Sequence, residues 1–142
     1  MSFLIKKTAY LLLAGILTMT VLLTGCAGSY EKKLEVASKL FNKACPVMVD
    51  DVTRLDNTEV LPGKTFRYNY TLIGFFIDDL EAIESTDKEE FISQMGAHLL
   101  EAVRTNQDLA EFRDNDVTME YNYHDQNGTP FHLFRFTPDM YE

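Results

Sequence analysis

Apolar positions along this chain recur at two periods, and the switches between them mark its elements. Leu34, Ala37, Leu40, Phe41 and Ala44 fall at helical spacing, with Glu31, Lys32, Lys33, Lys39 and Lys43 spread around the remaining surface. Ser29 is suited to cap this helix, and Pro46 stops it near Lys43 or Ala44. Val47-Met48-Val49 and Val52-Thr53-Arg54-Leu55 predict one or two short strands, with Asp50-Asp51 and Asp56-Asn57 prone to turn. Pro62-Gly63 is a turn signal. Beyond it Phe66, Tyr68, Tyr70 and Leu72 alternate with Thr65, Arg67, Asn69 and Thr71, which predicts a strand with its aromatic row toward the core.

The period then returns to that of a helix. After the short apolar segment Gly74-Phe75-Phe76-Ile77, the residues Phe91, Ile92, Met95, Leu99, Leu100 and Val103 form one stripe, predicting a helix from Asp87 to about Arg104. Thr86-Asp87-Lys88-Glu89 matches a capping box at its start. Gly96 lies beside the stripe and would allow close approach to a sheet, while Leu109 and Phe112 suggest one further helical turn. Val117 to His124 and Phe131 to Thr137 are strand-like and flank Asp125-Gln126-Asn127-Gly128. Taking Asn127-Gly128 as a two-residue type I′ turn pairs Tyr123 with His132, Tyr121 with Phe134, Glu120 with Arg135 and Met119 with Phe136. One face is then Val117, Met119, Tyr121, Tyr123, Phe134 and Phe136, a core face. The other carries Thr118, Glu120, Asn122, His124, Leu133 and Arg135.

The order α-ββ-α-ββ predicts an α+β domain. It would be an antiparallel sheet of about four strands packed against the one long helix, with the N-terminal helix added. Phe131 and Leu133 both fall on the hairpin face away from the core. Two apolar groups there are either covered by the N-terminal helix or form a candidate partner surface.

The first 25 residues belong to none of these elements. Lys6 and Lys7 precede an apolar run from Ala9 to Leu23, which ends in Leu23-Thr24-Gly25-Cys26. A cationic start, a short apolar core and small residues before a cut are the layout of a secretory signal. Fifteen residues fall short of the roughly 20 that span a bilayer, although a count from Thr8 to Gly28 keeps an uncleaved anchor open. Leu23-Thr24-Gly25-Cys26 resembles the lipobox of bacterial lipoproteins. The resemblance implies recognition of Leu23, Thr24, Gly25 and Cys26 by the signal peptidase, removal of residues 1–25, and lipid attachment at Cys26. Residues 26–29 are then a lipidated cysteine with a short tether, and residues 30–142 a single domain. The tether extends to about 10–14 Å at most, so the domain sits close to its membrane. Ala27 stands where an Asp would resemble an inner-membrane retention signal in bacteria with two membranes. Its absence favours the outer membrane, facing the periplasm.

Removal of the leader leaves 117 residues with 11 basic and 22 acidic side chains, a net charge of −11. Such a charge disfavours nucleic acid and anionic lipid surfaces, leaves anchoring to the acyl chains, and suits a cationic partner. Lipidation of Cys26 leaves Cys45 without an intramolecular partner. It is read as a small buried apolar residue, since no second cysteine stands near it. His124 and His132 flank the turn on opposite sheet faces, so one metal ion cannot take both, and His98 is read as solvated on the long helix. Seven acids between Asp78 and Glu90 lack the spacing and central glycine of a calcium loop, and they suit the N-terminus of the following helix. No catalytic residue, metal site or cofactor is assigned, because the chain shows neither a nucleophile elbow nor a glycine-rich phosphate loop.

Cys45-Pro46-Val47-Met48-Val49-Asp50, Thr53-Arg54-Leu55-Asp56 and Arg67-Tyr68-Asn69-Tyr70-Thr71-Leu72 resemble segments of small uncharacterised bacterial envelope proteins. Thr105-Asn106-Gln107-Asp108-Leu109 and Asp125-Gln126-Asn127-Gly128 are similar to them as well. That resemblance implies a whole domain and carries no activity. The expectation is a lipid-anchored, non-enzymatic binding or accessory protein that meets protein partners near the membrane. A toxin-neutralising or inhibitor lipoprotein is the alternative, and a small envelope enzyme is the third reading.

Overall fold

The computed structural model describes residues 30–80 and 84–142. Helix α1 spans Tyr30–Ala44, strand β1 Val47–Met48, β2 Thr53–Leu61 and β3 Thr65–Leu72. A short helix α2 (Ile77–Leu80) and the long helix α3 (Ser85–Thr105) follow. A 3₁₀ turn over Gln107–Leu109 leads into α4 (Ala110–Asp114), then β4 (Thr118–His124), β5 (Pro130–Phe136) and α5 (Pro138–Tyr141). The predicted lipobox, Cys26 and the Ser29 cap lie outside the described residues.

The α+β class stands, with two corrections to the expected sheet. It has five strands in the order β1-β2-β3-β4-β5, and it is mixed rather than antiparallel: β3 and β4, at its centre, run parallel. The reason is the length of the connection. Two hairpins joined by a tight turn would be antiparallel, but α2, α3 and α4 carry the chain back to the end where β3 began, so β4 starts beside Thr65. The fifth strand, β1, was too short to separate by alternation and pairs only Val47 with Leu55 and Met48 with Arg54. The layer opposing the sheet holds several helices, not one.

All of those helices that pack on the sheet use one face. Phe41 of α1 and Phe112 of α4 meet Phe66 of β3, with ring centroids 5.9 and 5.1 Å apart. Gly96 of α3 lies so close to β5 that an added Cβ would stand 3.1 Å from the Phe134 ring, which accounts for a glycine in mid-helix. The predicted aromatic row does face this core, as do Met119, Tyr121, Tyr123, Phe134 and Phe136. Asn42 of α1 closes part of the exposed β2 edge: its amide accepts from Thr58 N–H at 2.7 Å and donates to Thr58 C=O at 3.0 Å. The expected capping box is not formed. Helix α3 begins at Ser85, after Glu84, with no side-chain cap. The last residues, beyond the strand predicted over Phe131 to Thr137, form α5, and the Tyr141 hydroxyl donates to Val117 C=O at 2.9 Å.

Tyr68, Tyr70, Tyr121 and Tyr123 stack on the core face, with Tyr68–Tyr121 and Tyr70–Tyr123 centroids 5.2 and 5.1 Å apart. Burial pushes all four phenols well above their ordinary range, and neighbouring phenols and, for Tyr123, Asp50 add to it. Tyr141 is pushed up to about 12 by burial first and by Asp116 and Glu142 second. A group whose pKa is higher folded than unfolded gives stability that is fully present below the unfolded value of 10.0 and lost as pH rises through the folded one. Alkaline unfolding is therefore expected to begin above pH 10 and to run through the Tyr141 value and beyond. Tyrosinate absorbance and circular dichroism should change together. Ionisation of most tyrosines near pH 10 with the fold intact would contradict the buried stack.

Candidate functional site

The open end of the sheet is set by the parallel pair. Thr118 N–H donates to Lys64 C=O at one end of β3 and β4, and Gln126 N–H donates to Phe75 C=O at the other. Helix α1 starts at the first end, where Glu31 accepts from Gly63 and Lys64 N–H groups. The loop Ile73–Phe76, the β4–β5 turn and the start of β2 gather at the second end, with the first turns of α3 against them.

This second end is built on Asp125. The turn is not the expected two-residue type I′. Among the turn residues only Gly128 has positive φ, at +82°, and its N–H reaches Asp125 C=O while Asp125 N–H reaches Thr129 C=O. Asn127 thus keeps ordinary backbone angles, and the loop is three residues long with a bulge at the glycine. One Asp125 carboxylate oxygen accepts from Asn127 and Thr129 N–H at 2.9 and 2.8 Å, and the other from Ile77 N–H at 3.2 Å. Burial of this carboxyl would raise its pKa, but donors from Ile77, Thr129 and Asn127 together outweigh it and hold it below the ordinary range. Gly74 N–H donates to the Gln126 side chain at 2.9 Å. The turn and the β3–α2 loop are thereby fastened to each other.

The bulge also redirects Phe131. The register predicted from the turn holds from Met119–Phe136 to Tyr123–His132, then shifts so that His124 faces Pro130. Phe131 drops out of the pairing and packs its ring against Phe75 at 5.1 Å and Phe91 of α3 at 6.3 Å. Phe131 and Leu133 therefore do not make one surface. Leu133 stays on the sheet's other face, 42 % exposed. Helix α1 covers neither, because it lies on β2 and β3 of the core face.

The result is an apolar patch that the sequence pattern did not single out. Val52, Phe76 and Phe91 are 56, 37 and 49 % exposed, and all three belong to this end with the half-buried Phe75 and Phe131. Ile73 N–H donates to Val52 C=O at 2.7 Å, which ties Val52 to the same loop. The available signal was Gly74-Phe75-Phe76-Ile77, an apolar run too short for a strand and placed directly before acids.

The face opposite the core carries no described element. It is crossed by two rows of side chains in register. Glu59, Arg67, Glu120 and Arg135 alternate in charge, and Glu120, only 3 % exposed, accepts from both arginines, at 2.6 Å for Arg67. The expected Glu120–Arg135 pair is part of this row. Asn122 donates to Asn69 and Asn69 to Asn57 at 2.8 and 2.7 Å, and the row ends on Leu133. These groups satisfy one another and present little apolar area besides Leu133.

Cys45 is free and half-buried; burial first and Asp56 second raise its thiol, which favours the protonated form over the thiolate. His132 packs at a tilt against Phe134 with centroids 4.5 Å apart, His124 lies near Tyr70 C=O on the other face, and His98 is exposed on α3. Among the described residues, no three His, Cys, Asp or Glu side chains converge as metal ligands, and no helix is long and apolar enough to cross a membrane.

A crystal structure of a candidate secreted protein from Pseudomonas aeruginosa superposes with a TM-score of 0.60 at 13 % identity, over 79 % of this chain and 92 % of that one. Identity so low shows a shared fold. No curated protein matches the chain significantly. The family model described as a domain of unknown function, DUF8479, matches residues 28–134, which takes in α1 and all five strands up to Phe134. The chain belongs to the DUF8479 family.

Proposed function

We propose that this protein is a lipid-anchored envelope component that works without catalysis, by binding a protein partner through the phenylalanine patch. The anchor is Cys26, and in a bacterium with two membranes its place is the outer membrane, facing the periplasm. The observation that carries the reading is the cluster itself. Three of the four large apolar side chains exposed on the described surface stand at one end, on a loop and turn fastened by Asp125 and Gln126. Exposed aromatics on a rigid support lose little freedom on contact, which favours binding. Helix α1 starts at the opposite end, so the patch stands about 25 Å along the sheet from the first turn of α1, given about 3.3 Å per residue over β3.

The test is photocrosslinking in living cells. A benzoylphenylalanine at position 91 of the full chain is expected to give a discrete protein adduct, and the same group at position 133 is not. An adduct from position 133 alone, or none but lipid from position 91, would remove the reading.

A further inference from the structure

The partner's chemistry can be narrowed further, resting on the reading just given. Exposed carboxylates flank the patch residues along the chain, which gives the patch an anionic rim. Asp51 adjoins Val52, Asp78 and Asp79 follow Phe76-Ile77, and Asp87, Glu89 and Glu90 occupy the first turns of α3 before Phe91; all six are exposed. Across segments 73–80 and 84–92 the one basic residue is Lys88. An apolar centre with an anionic rim discriminates between occupants. An anionic lipid surface is repelled, and so is a second copy of this chain, which would bring an equal rim against its own. Hydrophobic burial alone would accept any apolar surface, and the rim alone any cation.

We infer that the patch docks a cationic amphipathic segment of a partner protein, whose apolar side chains enter among Phe76, Phe91 and Phe131 while its lysines or arginines meet the rim. The apolar contacts hold the complex, and the carboxylates set its on-rate and its salt dependence. Such a segment presents apolar residues at i, i+3 or i+4 and i+7 with basic residues between them, as in other helix-in-groove contacts. The buried Asp125 belongs to the support and is left untouched in the test.

The probe is a fluorescent 14-residue helix of leucine and lysine with one apolar face, titrated by anisotropy into the full lipidated chain in neutral detergent. Binding is expected to weaken about tenfold or more in Phe76→Ser/Phe91→Ser and in Asp78→Lys/Asp79→Lys, and to weaken with added salt. Leu133→Ser should leave it unchanged, and matching thermal melts would show that every variant folds. Equal binding of a lysine peptide without leucines, or of a glutamate-for-lysine version, would overturn the inference, as would indifference to Asp78→Lys/Asp79→Lys. The two readings fail separately. If the position-91 adduct forms in cells and charge reversal leaves its yield unchanged, the cationic partner is excluded and the protein-binding patch stands. If no adduct forms, both fall.

Discussion

Phe66→Ala is expected to lower stability by about 3–5 kcal/mol, the largest loss of any single truncation in the domain. Phe66 is fully buried, and its ring is the point where three elements meet. It contacts Phe41 of α1, Phe112 of α4 and, at 5.0 Å, Tyr68 on its own strand. Truncation removes the transfer free energy of the ring and leaves a cavity walled by rigid aromatics, which collapse poorly into it. The cross-strand neighbours Val60 and Met119 hold the sheet backbone on both sides, so β3 cannot move inward to fill the space. Against a total of about 5–15 kcal/mol for an ordinary domain, this loss brings the protein close to unfolding at growth temperature. Phe66→Leu, which keeps most of the volume, should cost about 1–1.5 kcal/mol. Urea titration decides the matter: the midpoint should fall sharply in Phe66→Ala with the slope unchanged. A loss under about 1 kcal/mol would mean that α1 and α4 do not converge on this ring.

The core was legible because it obeys simple periods. Alternation over 65–72 and the paired numbering of the last hairpin placed Phe66, Tyr68, Met119, Tyr121 and Phe134 correctly, down to the Glu120–Arg135 pair. What local pattern cannot carry is where a strand goes after a long connection, and so the parallel β3–β4 pair was missed. The same limit left open whether Val47-Met48-Val49 is a strand of its own, since its two paired residues form a strand only because β2 lies beside them. At the candidate site the error was one residue of register. Asn127-Gly128 favours a type I′ turn by itself, but the Asp125 carboxylate gathers the Asn127, Thr129 and Ile77 N–H groups, the turn takes the three-residue form and Phe131 leaves the outer face. An aspartate 48 positions away from its partner is invisible to local reading. Phe76 and Phe91 were assigned to ordinary apolar segments, because periodicity tells which side chains share a face and not whether anything covers it.

On the proposed lipid anchor, replacing Cys26 is expected to produce the largest functional change, complete release of the protein from its membrane. Each methylene buried in a bilayer contributes about 0.8 kcal/mol, so acyl chains dominate any contact an acidic domain can make with lipid. The charge of the domain opposes any other attachment to lipid, since 22 acidic residues face 11 basic ones beyond residue 25. The geometry adds a direction. Glu31 fixes the first turn of α1 to the β2–β3 turn, which leaves the phenylalanine patch at the far end of the sheet. An anchored domain with the patch against lipid would leave no room for a protein partner there. Orientation on the membrane is therefore the point on which the account turns, and quenching by a lipid-borne quencher reads it. A dye is placed at Pro62→Cys in the β2–β3 turn or at Asp79→Cys beside the patch, each in the lipidated chain with Cys45→Ala, on vesicles. The account predicts strong quenching at position 62, little at position 79, and none at either once Cys26→Ala frees the protein. Equal quenching at position 79, or quenching that survives Cys26→Ala, would contradict it.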